Sequence, residues 1–312
     1  MKRILILGAD GFLGSNLIKA LLKKNEEYSI RAFDLFKDDC SRNLEEVKNK
    51  IEFFPGNFLN KGDLENALKD IDYVFHFISL TTPGSSYNDP LIDVETNIKG
   101  TVVLLEECVK NKVKRIVFSS SGGAIYGNQE RETFVESDLT NPISPYAISK
   151  LTIEKYLEFY RIRFGLDYLI LRYANPYGPG QDVFGSQGII PIFLNLVKNE
   201  KTISIFGDGE NVRDYIFIDD LVDKTIKIFE LKSKYRIYNI GSGVGKTINE
   251  IVNLIRVCSQ KDIKVQNCPA RDIDVRRVVL DTVRIQSEIE YKLDISLEKG
   301  IEKTWNWLNN LK

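Results

Sequence analysis

A glycine-rich turn near the N-terminus constrains this chain more than any other feature. Lys2 to Leu7 has the pattern of a short apolar strand, and the segment 8–14, Gly-Ala-Asp-Gly-Phe-Leu-Gly, precedes an amphipathic run from Ser15 to Lys24. Glycine lets the backbone turn tightly and approach phosphates, and the N–H groups and positive dipole end of a following helix hold negative charge. Strand, turn and helix therefore predict a dinucleotide pyrophosphate site, with a spacing one residue away from the commoner G-x-G-x-x-G.

A tyrosine and a lysine in the middle of the chain form a second motif. Ser144 is a predicted N-cap, and the proline after it suits the first turn of a helix, so Tyr146 and Lys150 share one helix face. A phenol ionises near pH ~10, and a nearby ammonium favours the phenolate by roughly 1–3 pKa units. The pair thus predicts a general base for an alcohol. Ser121 closes the apolar strand pattern that starts at Arg115, and its hydroxyl can bond a substrate hydroxyl beside the phenol.

Strand and helix patterns alternate along most of the chain. Strand patterns occur at 3–7, 29–33, 51–54, 73–77, 115–119 and 167–172, and helical patterns at 12–24, 63–69, 91–111, 146–164 and 188–199. This alternation predicts an α/β fold with a doubly wound parallel sheet of the Rossmann type. Asp34 follows the second strand, where an acidic side chain meets the adenosine ribose and repels a 2′-phosphate. NAD is therefore favoured over NADP, although Asp34 could also be an ordinary surface acid.

Composition limits the class of protein. Of 312 residues 43% are hydrophobic and 28% charged, and the net charge of −1 gives no long-range field that would select nucleic acid or an anionic membrane. Cys40, Cys108, Cys258 and Cys268 lack C-x-x-C spacing, and with one histidine they predict reduced thiols in a cytoplasmic protein and no metal site. Asp10 and the glycines interrupt the apolar N-terminus, which argues against a signal peptide. No apolar run reaches the roughly 20 residues that span a bilayer.

An ordered set of motifs resembles the extended short-chain dehydrogenase/reductases, the nucleotide-sugar family typified by UDP-glucose 4-epimerase. The segments that carry the resemblance are 74–77, 97–101, 119–127, Tyr146 with Lys150, 171–181 and 213–220. They span nearly the whole chain. Against this pattern, the segment from Gly122 to Gly127 holds one residue more, which leaves Ser120 as an alternative to Ser121.

The resemblance implies two domains and a dimer. An NAD-binding Rossmann domain would comprise 1–174 plus about 213–240, and a smaller C-terminal α/β domain that binds the nucleotide sugar would comprise about 175–212 plus 241–312. Family members pair the helices at 91–111 and 146–164 across a two-fold axis, which implies a homodimer here. The apolar residues of these helices that suggest such a contact are Val102, Leu105, Val109, Leu151, Tyr156, Phe159 and Tyr160.

The resemblance also implies site residues. The predicted catalytic residues are Ser121, Tyr146 and Lys150. The predicted NAD contacts are Gly8, Gly11, Phe12, Leu13, Gly14, Asp34, Asn57, Phe58, Phe77, Ser79, Asn97, Tyr146, Lys150 and Tyr173. The predicted substrate contacts are Ser121, Tyr146, Asn175, Arg213, Arg271 and Val278. The two guanidinium groups would bind the diphosphate, although Arg213 could instead pair with Asp214, and Val278 would leave room for an N-acetyl group.

The residues after the strand hydroxyl bear on the type of reaction. Nucleotide-sugar dehydratases and decarboxylases of this family carry an acid there, whereas this chain has Gly122 and Gly123. The resemblance therefore predicts an NAD-dependent UDP-hexose 4-epimerase, with or without an N-acetyl group on the sugar, working through transient C4 oxidation in glycan precursor synthesis. A UDP-, GDP- or dTDP-linked C4 dehydrogenase or 4-ketosugar reductase is the alternative. A binding protein that has lost catalysis is a further one, disfavoured by the intact Ser121, Tyr146 and Lys150.

Two other patterns are interpreted as structural. The segment from Gly241 to Thr247 resembles a phosphate-binding P-loop but has only three residues between its glycines where four are needed, so we predict a tight turn after a strand at 236–240. His76 ends a buried strand pattern, where a hydrogen-bonded structural or cofactor-adjacent histidine is expected rather than a catalytic one.

Overall fold

The computed structural model describes residues 1–24, 27–36, 41, 43–185, 187–271 and 274–311. Its strands are β1 Lys2–Leu7, β2 Tyr28–Asp34, β3 Glu52–Pro55, β4 Tyr73–His76, β5 Arg115–Ser121, β6 Asp167–Tyr173, β7 Asn175–Tyr177, β8 Ile203–Phe206, β9 Val212–Phe217, β10 Ile237–Ile240, β11 Gly245–Thr247, β12 Val265–Cys268 and β13 Arg277–Val278. Its α-helices are α1 Phe12–Lys24, α2 Lys61–Ala67, α3 Pro83–Asn88, α4 Pro90–Ile92, α5 Lys99–Lys110, α6 Pro145–Phe164, α7 Ile189–Lys198, α8 Ile218–Glu230, α9 Ile248–Ser259, α10 Val283–Gln286 and α11 Leu297–Asn310. A 3-10 helix covers Glu45–Lys50, and a π-helical segment covers Asp93–Ile98.

Seven strands form one sheet in the order β10-β6-β5-β4-β1-β2-β3. The pairs β1–β2, β1–β4, β2–β3 and β4–β5 are parallel. From β1 the chain winds outward to β3 and then continues on the other side through β4, which is the doubly wound order predicted from the alternating pattern. Ile4 to Leu7 of β1 are completely buried, because helices cover both faces of such a sheet and its strands are apolar on both sides.

The first compact unit comprises residues 1–120, 144–171 and 225–237. Apolar side chains of β1, β4, β5, α2, α5 and α6 meet in its core, among them Leu5, Val74, Ile116, Leu104 and Leu157. Helix α1 has the predicted bounds, and β5 runs two residues beyond its predicted end at 119. Within the described ranges, none of the helices is long and apolar enough to cross a membrane.

The predicted helix over 91–111 is not one regular α-helix. The chain passes from α4 through the π-helical segment Asp93–Ile98 into α5. Asp93 and Asn97 of that segment are buried, and the Asn97 amide donates to the Asp93 carboxylate at 2.8 Å. Two buried polar side chains need partners inside the protein, and the wider π turn accommodates their pairing. The apolar pattern could predict a helix here but not the change in its pitch.

The second compact unit comprises residues 121–143, 172–224 and 238–312. Its main sheet centres on β9, which pairs with β11 antiparallel and with β7 and β13 parallel, and a separate pair joins β8 to β12. Helix α11 approaches β7 closely at Gly300, where a Cβ would lie 2.1 Å from the Tyr177 hydroxyl oxygen. Glycine is therefore required at that position of the helix.

The division of the chain differs from the predicted one in two longer segments and, by three residues each, at 172–174 and 238–240. Residues 121–143 and 213–224 group with the second unit, whereas the sequence placed them in the NAD-binding domain. Phe134 explains the first difference, because its N–H donates to the Val279 carbonyl at 2.9 Å and its carbonyl accepts from Asn239 at 2.8 Å. The second difference arises because β9 lies at the centre of the second unit's sheet.

Candidate functional site

The glycine turn has the geometry that its sequence predicts. β1 ends at Leu7, Gly8 adopts a φ of +79°, and α1 starts at Phe12. A Cβ on Gly14 would lie 2.2 Å from the Gly8 carbonyl oxygen, so the first turn of α1 packs directly against the glycine turn. The N-terminus of α1, a helix of 13 residues, therefore lies beside the glycine turn, and glycines stand where the two approach most closely.

Asp34 lies next to this turn. One oxygen of its carboxylate accepts the Asp10 N–H at 3.0 Å, and the other accepts the Leu35 N–H at 2.8 Å. Burial raises the pKa of Asp34, while the two backbone N–H donors act in the opposite direction. The carboxyl group is thus fixed at the end of β2, at the position that the sequence predicted for a contact with the adenosine ribose.

Other predicted NAD contacts in the first unit are engaged within the protein. The Asn57 side-chain oxygen accepts the Leu59 N–H at 2.9 Å, and Phe58 is buried with its ring centroid 5.2 Å from that of His76. Asn97 is buried, its oxygen accepts the Leu80 N–H, and its amide nitrogen donates to two neighbouring oxygens. Asn97 therefore fixes the loop after β4, and its predicted direct contact with NAD remains a prediction. Phe77 and Ser79 are half-buried on that loop, and Tyr173 is buried in the second unit.

Helix α6 presents Tyr146 and Lys150 as predicted. The Ser144 hydroxyl caps the helix by accepting the Ala147 N–H at 3.3 Å, and the helix ends at Gly165 with a φ of +73°. The Tyr146 N–H donates to the Ser86 hydroxyl at 3.1 Å, which ties the first turn to α3. Tyr146 and Lys150 are 9% and 5% exposed.

The Lys150 side chain crosses to the neighbouring strand. Its Nζ donates to the Ser119 carbonyl at 3.0 Å and lies 4.8 Å from the centroid of the Phe118 ring and 5.7 Å from that of Tyr146. Burial lowers the pKa of Lys150 to about 8, and the charge of Asp93 acts in the opposite direction. An ammonium this close to a phenol stabilises the phenolate, which is the form that takes a proton from an alcohol.

The three serines at the end of β5 differ in their partners. The Ser119 hydroxyl donates to the His76 carbonyl at 3.2 Å, and the Ser120 hydroxyl donates to the Glu154 carboxylate at 2.6 Å. Ser121 is half-buried and belongs to the second unit. Sequence reasoning missed Glu154, although a carboxylate one turn beyond Lys150 on a largely buried helix was a signal.

His76 is a structural histidine, as its position in the sequence suggested. Its Nε2 lies 2.9 Å from the Thr101 hydroxyl oxygen, and that hydroxyl donates to the Asn97 carbonyl at 2.7 Å. The hydroxyl proton is thus already used, so the Nε2–H of a neutral imidazole donates to Thr101. Burial is the main cause that lowers the pKa of His76 to about 3, and the Lys150 charge adds to it.

The second unit contains a cavity of about 570 Å³ that brings together three predicted substrate residues. Asn175, Arg213 and Arg271 all line it, whereas Val278 does not and is 1% exposed within β13. Sequence reasoning missed Tyr215, which also lines the cavity and whose buried hydroxyl has no hydrogen-bond partner among the described residues. Tyr215 stands two positions after Arg213 in β9, a spacing that places both on one face of the strand.

The two arginines of this cavity are held differently. Arg213 donates to the Val212 carbonyl at 2.9 Å, and burial lowers its pKa. Arg271 forms two hydrogen bonds of 2.9 Å to the Asp274 carboxylate, and its guanidinium carbon lies 4.3 Å from the Phe206 ring centroid. Two guanidinium groups in one cavity provide planar donors for an anion with several oxygens.

The P-loop-like segment is a turn, as predicted. Asp214 accepts the Ser242 N–H and hydroxyl at 2.7 and 2.6 Å and the Gly243 N–H at 3.1 Å. These N–H groups therefore donate hydrogen bonds to a carboxylate of the protein itself. Thr247 at the end of the segment caps α9 together with Glu250. Asp214 is thus a structural residue, which also explains why it forms no ion pair with Arg213 in the part of the chain that the structure describes.

The chain is similar to a well-populated group of proteins. Residues 4–241 match the NAD dependent epimerase/dehydratase family. The UDP-glucose 4-epimerase of Mycolicibacterium smegmatis is 32% identical over 312 residues, with 99% of each chain covered. A solved UDP-glucose 4-epimerase from Thermotoga maritima, with UDP-glucose, has a TM-score of 0.91 and 34% identity over 98% of both chains. The Thermus thermophilus UDP-glucose 4-epimerase in complex with NAD has a TM-score of 0.91 and 31% identity, covering 99% of this chain and 100% of that one. These similarities confirm the predicted family and fold.

Proposed function

The chain belongs to the NAD dependent epimerase/dehydratase family, and we propose that it is a nucleotide-sugar 4-epimerase that oxidises its substrate transiently at C4. The observation that carries the proposal is the buried pair of Tyr146 and Lys150 on α6, in the same compact unit as the glycine turn. UDP-linked hexoses, with or without an N-acetyl group, are the proposed substrates. The epimerases to which the chain is similar support this choice.

The glycine turn and Asp34 fit NAD as the cofactor. The space that a side chain on Gly14 would need is filled by the Gly8 carbonyl, so α1 packs closely on the glycine turn and its N-terminus lies where a pyrophosphate would bind. The fixed Asp34 carboxylate suits a ribose with a free 2′-hydroxyl and would repel a 2′-phosphate. Once bound, the nicotinamide supplies a reversible two-electron acceptor for a carbinol carbon.

Tyr146 is the proposed acid and base. As phenolate it takes the proton from the sugar O4 during oxidation, and as phenol it returns that proton during reduction. Lys150 lies beside the ring and keeps the phenolate stable as long as its own ammonium is charged. Its hydrogen bond to the Ser119 carbonyl uses one of three donors, which leaves donors for the hydroxyls of the nicotinamide ribose, the NAD contact that the family resemblance implies for Lys150.

Ser121 is the proposed hydroxyl that bonds the substrate. Ser120, the alternative, gives its proton to the buried Glu154 carboxylate and so has a structural use. The residue after Ser121 also disfavours dehydration of the sugar, because the family's dehydratases carry an acid where this chain has Gly122. A Cβ on Gly122 would lie 2.6 Å from a methyl carbon of Leu280. No side-chain acid fits there without displacing that leucine. Reversible oxidation at C4 is then the remaining chemistry.

The diphosphate is assigned to the cavity of the second unit. Arg213 and Arg271 supply bidentate donors, and Asn175 supplies an amide whose nitrogen already donates to the Asp214 carbonyl at 2.9 Å. The cavity volume of about 570 Å³ falls in the usual range for ligand sites, roughly 300–1,000 Å³.

A turnover assay tests the proposal. Purified protein is incubated with UDP-glucose, UDP-galactose and their N-acetyl forms, and the epimer ratio and NADH absorbance are followed together. Interconversion of C4 epimers without net NADH is expected, and the Tyr146→Phe variant, which keeps the ring, should be inactive. Stoichiometric NADH from one sugar nucleotide would instead establish a dehydrogenase. Binding of the sugar nucleotides without any turnover would indicate a binding protein.

A homodimer through α6 and the helical segment at 91–111 is also proposed. Tyr156, Phe159, Ile162 and Phe164 are 37–71% exposed on the outer side of α6, a concentration of apolar side chains that suits a protein interface. Leu105 and Tyr160, which the sequence placed in this contact, are instead buried in the core. Light scattering at micromolar concentration should give twice the chain mass, and Phe159→Lys should reduce it. A monomer in the unmodified protein would contradict the dimer.

We place the enzyme in the cytoplasm, in the synthesis of precursors for polysaccharides or other glycans. Cys108, Cys258 and Cys268 are free thiols, which suits a reducing compartment, and Cys40 lies outside the described residues. Fractionation of cells with an antibody against the chain would test this placement.

A further inference from the structure

Asp93 is a buried carboxylate whose second oxygen has no protein partner. The residue is 1% exposed, and its Oδ2 has no hydrogen-bond partner among the described residues. Removing a carboxylate from water is costly unless hydrogen bonds or an opposite charge compensate for it. The sequence offered no role for this residue.

The first oxygen of Asp93 is held firmly. Its Oδ1 accepts the Thr81 hydroxyl at 2.7 Å and the Asn97 amide at 2.8 Å, and the same amide donates to the Thr81 oxygen at 2.8 Å. These three side chains join the π-helical segment to the loop after β4. The carboxylate is therefore fixed in one orientation, with its unpartnered oxygen in a dry environment.

Lys150 is the buried cation on the helix that packs against this segment. The titratable side chains on α6 and the elements packed near it include Tyr146 and Glu154 on α6, Tyr87 on α3, Asp93 on the π-helical segment, Glu107 on α5 and His76 on β4. Glu154 accepts the Ser120 hydroxyl, and Glu107 pairs with Lys110 at 2.7 Å. Within the described part of the chain, no carboxylate lies within 4 Å of the Lys150 Nζ.

We propose that Asp93 is a positioning residue for the reaction: its fixed, buried carboxylate is the counter-charge that keeps the Lys150 ammonium protonated beside Tyr146. The relevance of this inference to catalysis rests on the proposed function. The electrostatic coupling between Asp93 and Lys150 does not depend on that function. Burial alone favours the neutral amine, and a neutral amine cannot stabilise a phenolate. The attraction acts over more than a salt-bridge distance, which a low-dielectric interior permits.

The direct test is a titration of Lys150 by NMR. Protein labelled at lysine Cε is titrated, and the Lys150 signal is assigned by its loss in Lys150→Met. In Asp93→Asn, which keeps the shape and the acceptor oxygen, the midpoint should fall by about one pH unit. A midpoint equal to that of the unmodified protein would overturn the proposal.

Thr81→Val is the matched control. It removes one donor to the Asp93 carboxylate but leaves the charge, so its Lys150 midpoint should stay within roughly 0.3 units of the unmodified protein, well below the effect of a lost charge. If Thr81→Val shifts the midpoint as far as Asp93→Asn does, the role of Asp93 is structural. His76 is the only histidine of the chain, and its Nε2–H signal reports whether each variant keeps the native network.

A second measurement needs no Asp93 variant and therefore does not depend on that variant folding. In unmodified protein labelled at aspartate Cγ, the Asp93 signal should show an inflection at the Lys150 midpoint, and Lys150→Met should abolish it. Absence of the inflection would refute the coupling. If the coupling holds but no sugar nucleotide turns over, the proposed function fails while the role of Asp93 as counter-charge stands.

Discussion

Ser120→Ala and Ser121→Ala should each lose a hydrogen bond of similar free energy. The first loss should lower the stability of the protein, and the second should lower its catalytic rate. Ser120 donates to the buried Glu154 carboxylate at 2.6 Å. A hydrogen bond to a charged group contributes about 1.5–3 kcal/mol, so Ser120→Ala should lower the free energy of unfolding by about that amount. Turnover should change by less than about 5-fold, because the lost bond does not involve the substrate.

Ser121→Ala should leave stability nearly unchanged and reduce kcat. A donor worth about 1.5–3 kcal/mol in the transition state corresponds to roughly a 10- to 150-fold loss, since each 1.36 kcal/mol is a factor of ten. Both variants are compared by urea unfolding and by epimer ratios at saturating UDP-galactose. An equal loss of kcat in the two variants, or a loss confined to Ser120→Ala, would refute the assignment of Ser121.

Three further outcomes are expected. Gly14→Ala should weaken NAD binding and lower stability by about 1–3 kcal/mol in thermal unfolding, because its Cβ would lie 2.2 Å from the Gly8 carbonyl oxygen. An NAD affinity equal to that of the unmodified protein in calorimetric titration would contradict the packing argument. Turnover should fall as the pH rises through about 8. The pKa of Lys150 is lowered to about that value, so above it the neutral amine predominates and cannot support the phenolate. A pH–rate profile without this alkaline limb would contradict the prediction. Arg271→Gln should raise KM by about 10-fold with little change in kcat, because Arg271 binds a part of the substrate remote from C4. A fall in kcat with an unchanged KM in steady-state kinetics would show that Arg271 does not bind the substrate in this way.

The parts of the site that the sequence predicted are those fixed by neighbours along the chain. The glycine turn, the cap at Ser144 and the pairing of Tyr146 with Lys150 all depend on spacings of a few residues, and the structure has each of them. The alternating strands and helices similarly predicted a doubly wound parallel sheet, because short connections between such elements allow few topologies.

The parts that the sequence could not predict depend on contacts between distant segments. Thr81 and Asn97 hold the Asp93 carboxylate in the interior, and the Glu154 carboxylate of α6 accepts a hydrogen bond from Ser120 of β5. Their side chains are typical of exposed positions, so sequence pattern alone suggests solvent. The predicted contact of Val278 with the sugar came from a resemblance and stays a prediction; its side chain is buried in β13 and does not line the cavity.

The way the two units alternate along the chain has a consequence for synthesis on the ribosome. The first unit draws its last segment, 225–237, from beyond strands β7, β8 and β9 of the second. Strand β6 can therefore be complete while its neighbour β10 is still untranslated, so the nascent sheet presents an unpaired edge until residue 240 emerges. At translation rates of about 5–20 residues per second, this edge stays open for several seconds, during which chaperone binding competes with aggregation. Slow codons between β6 and β10 would lengthen that period.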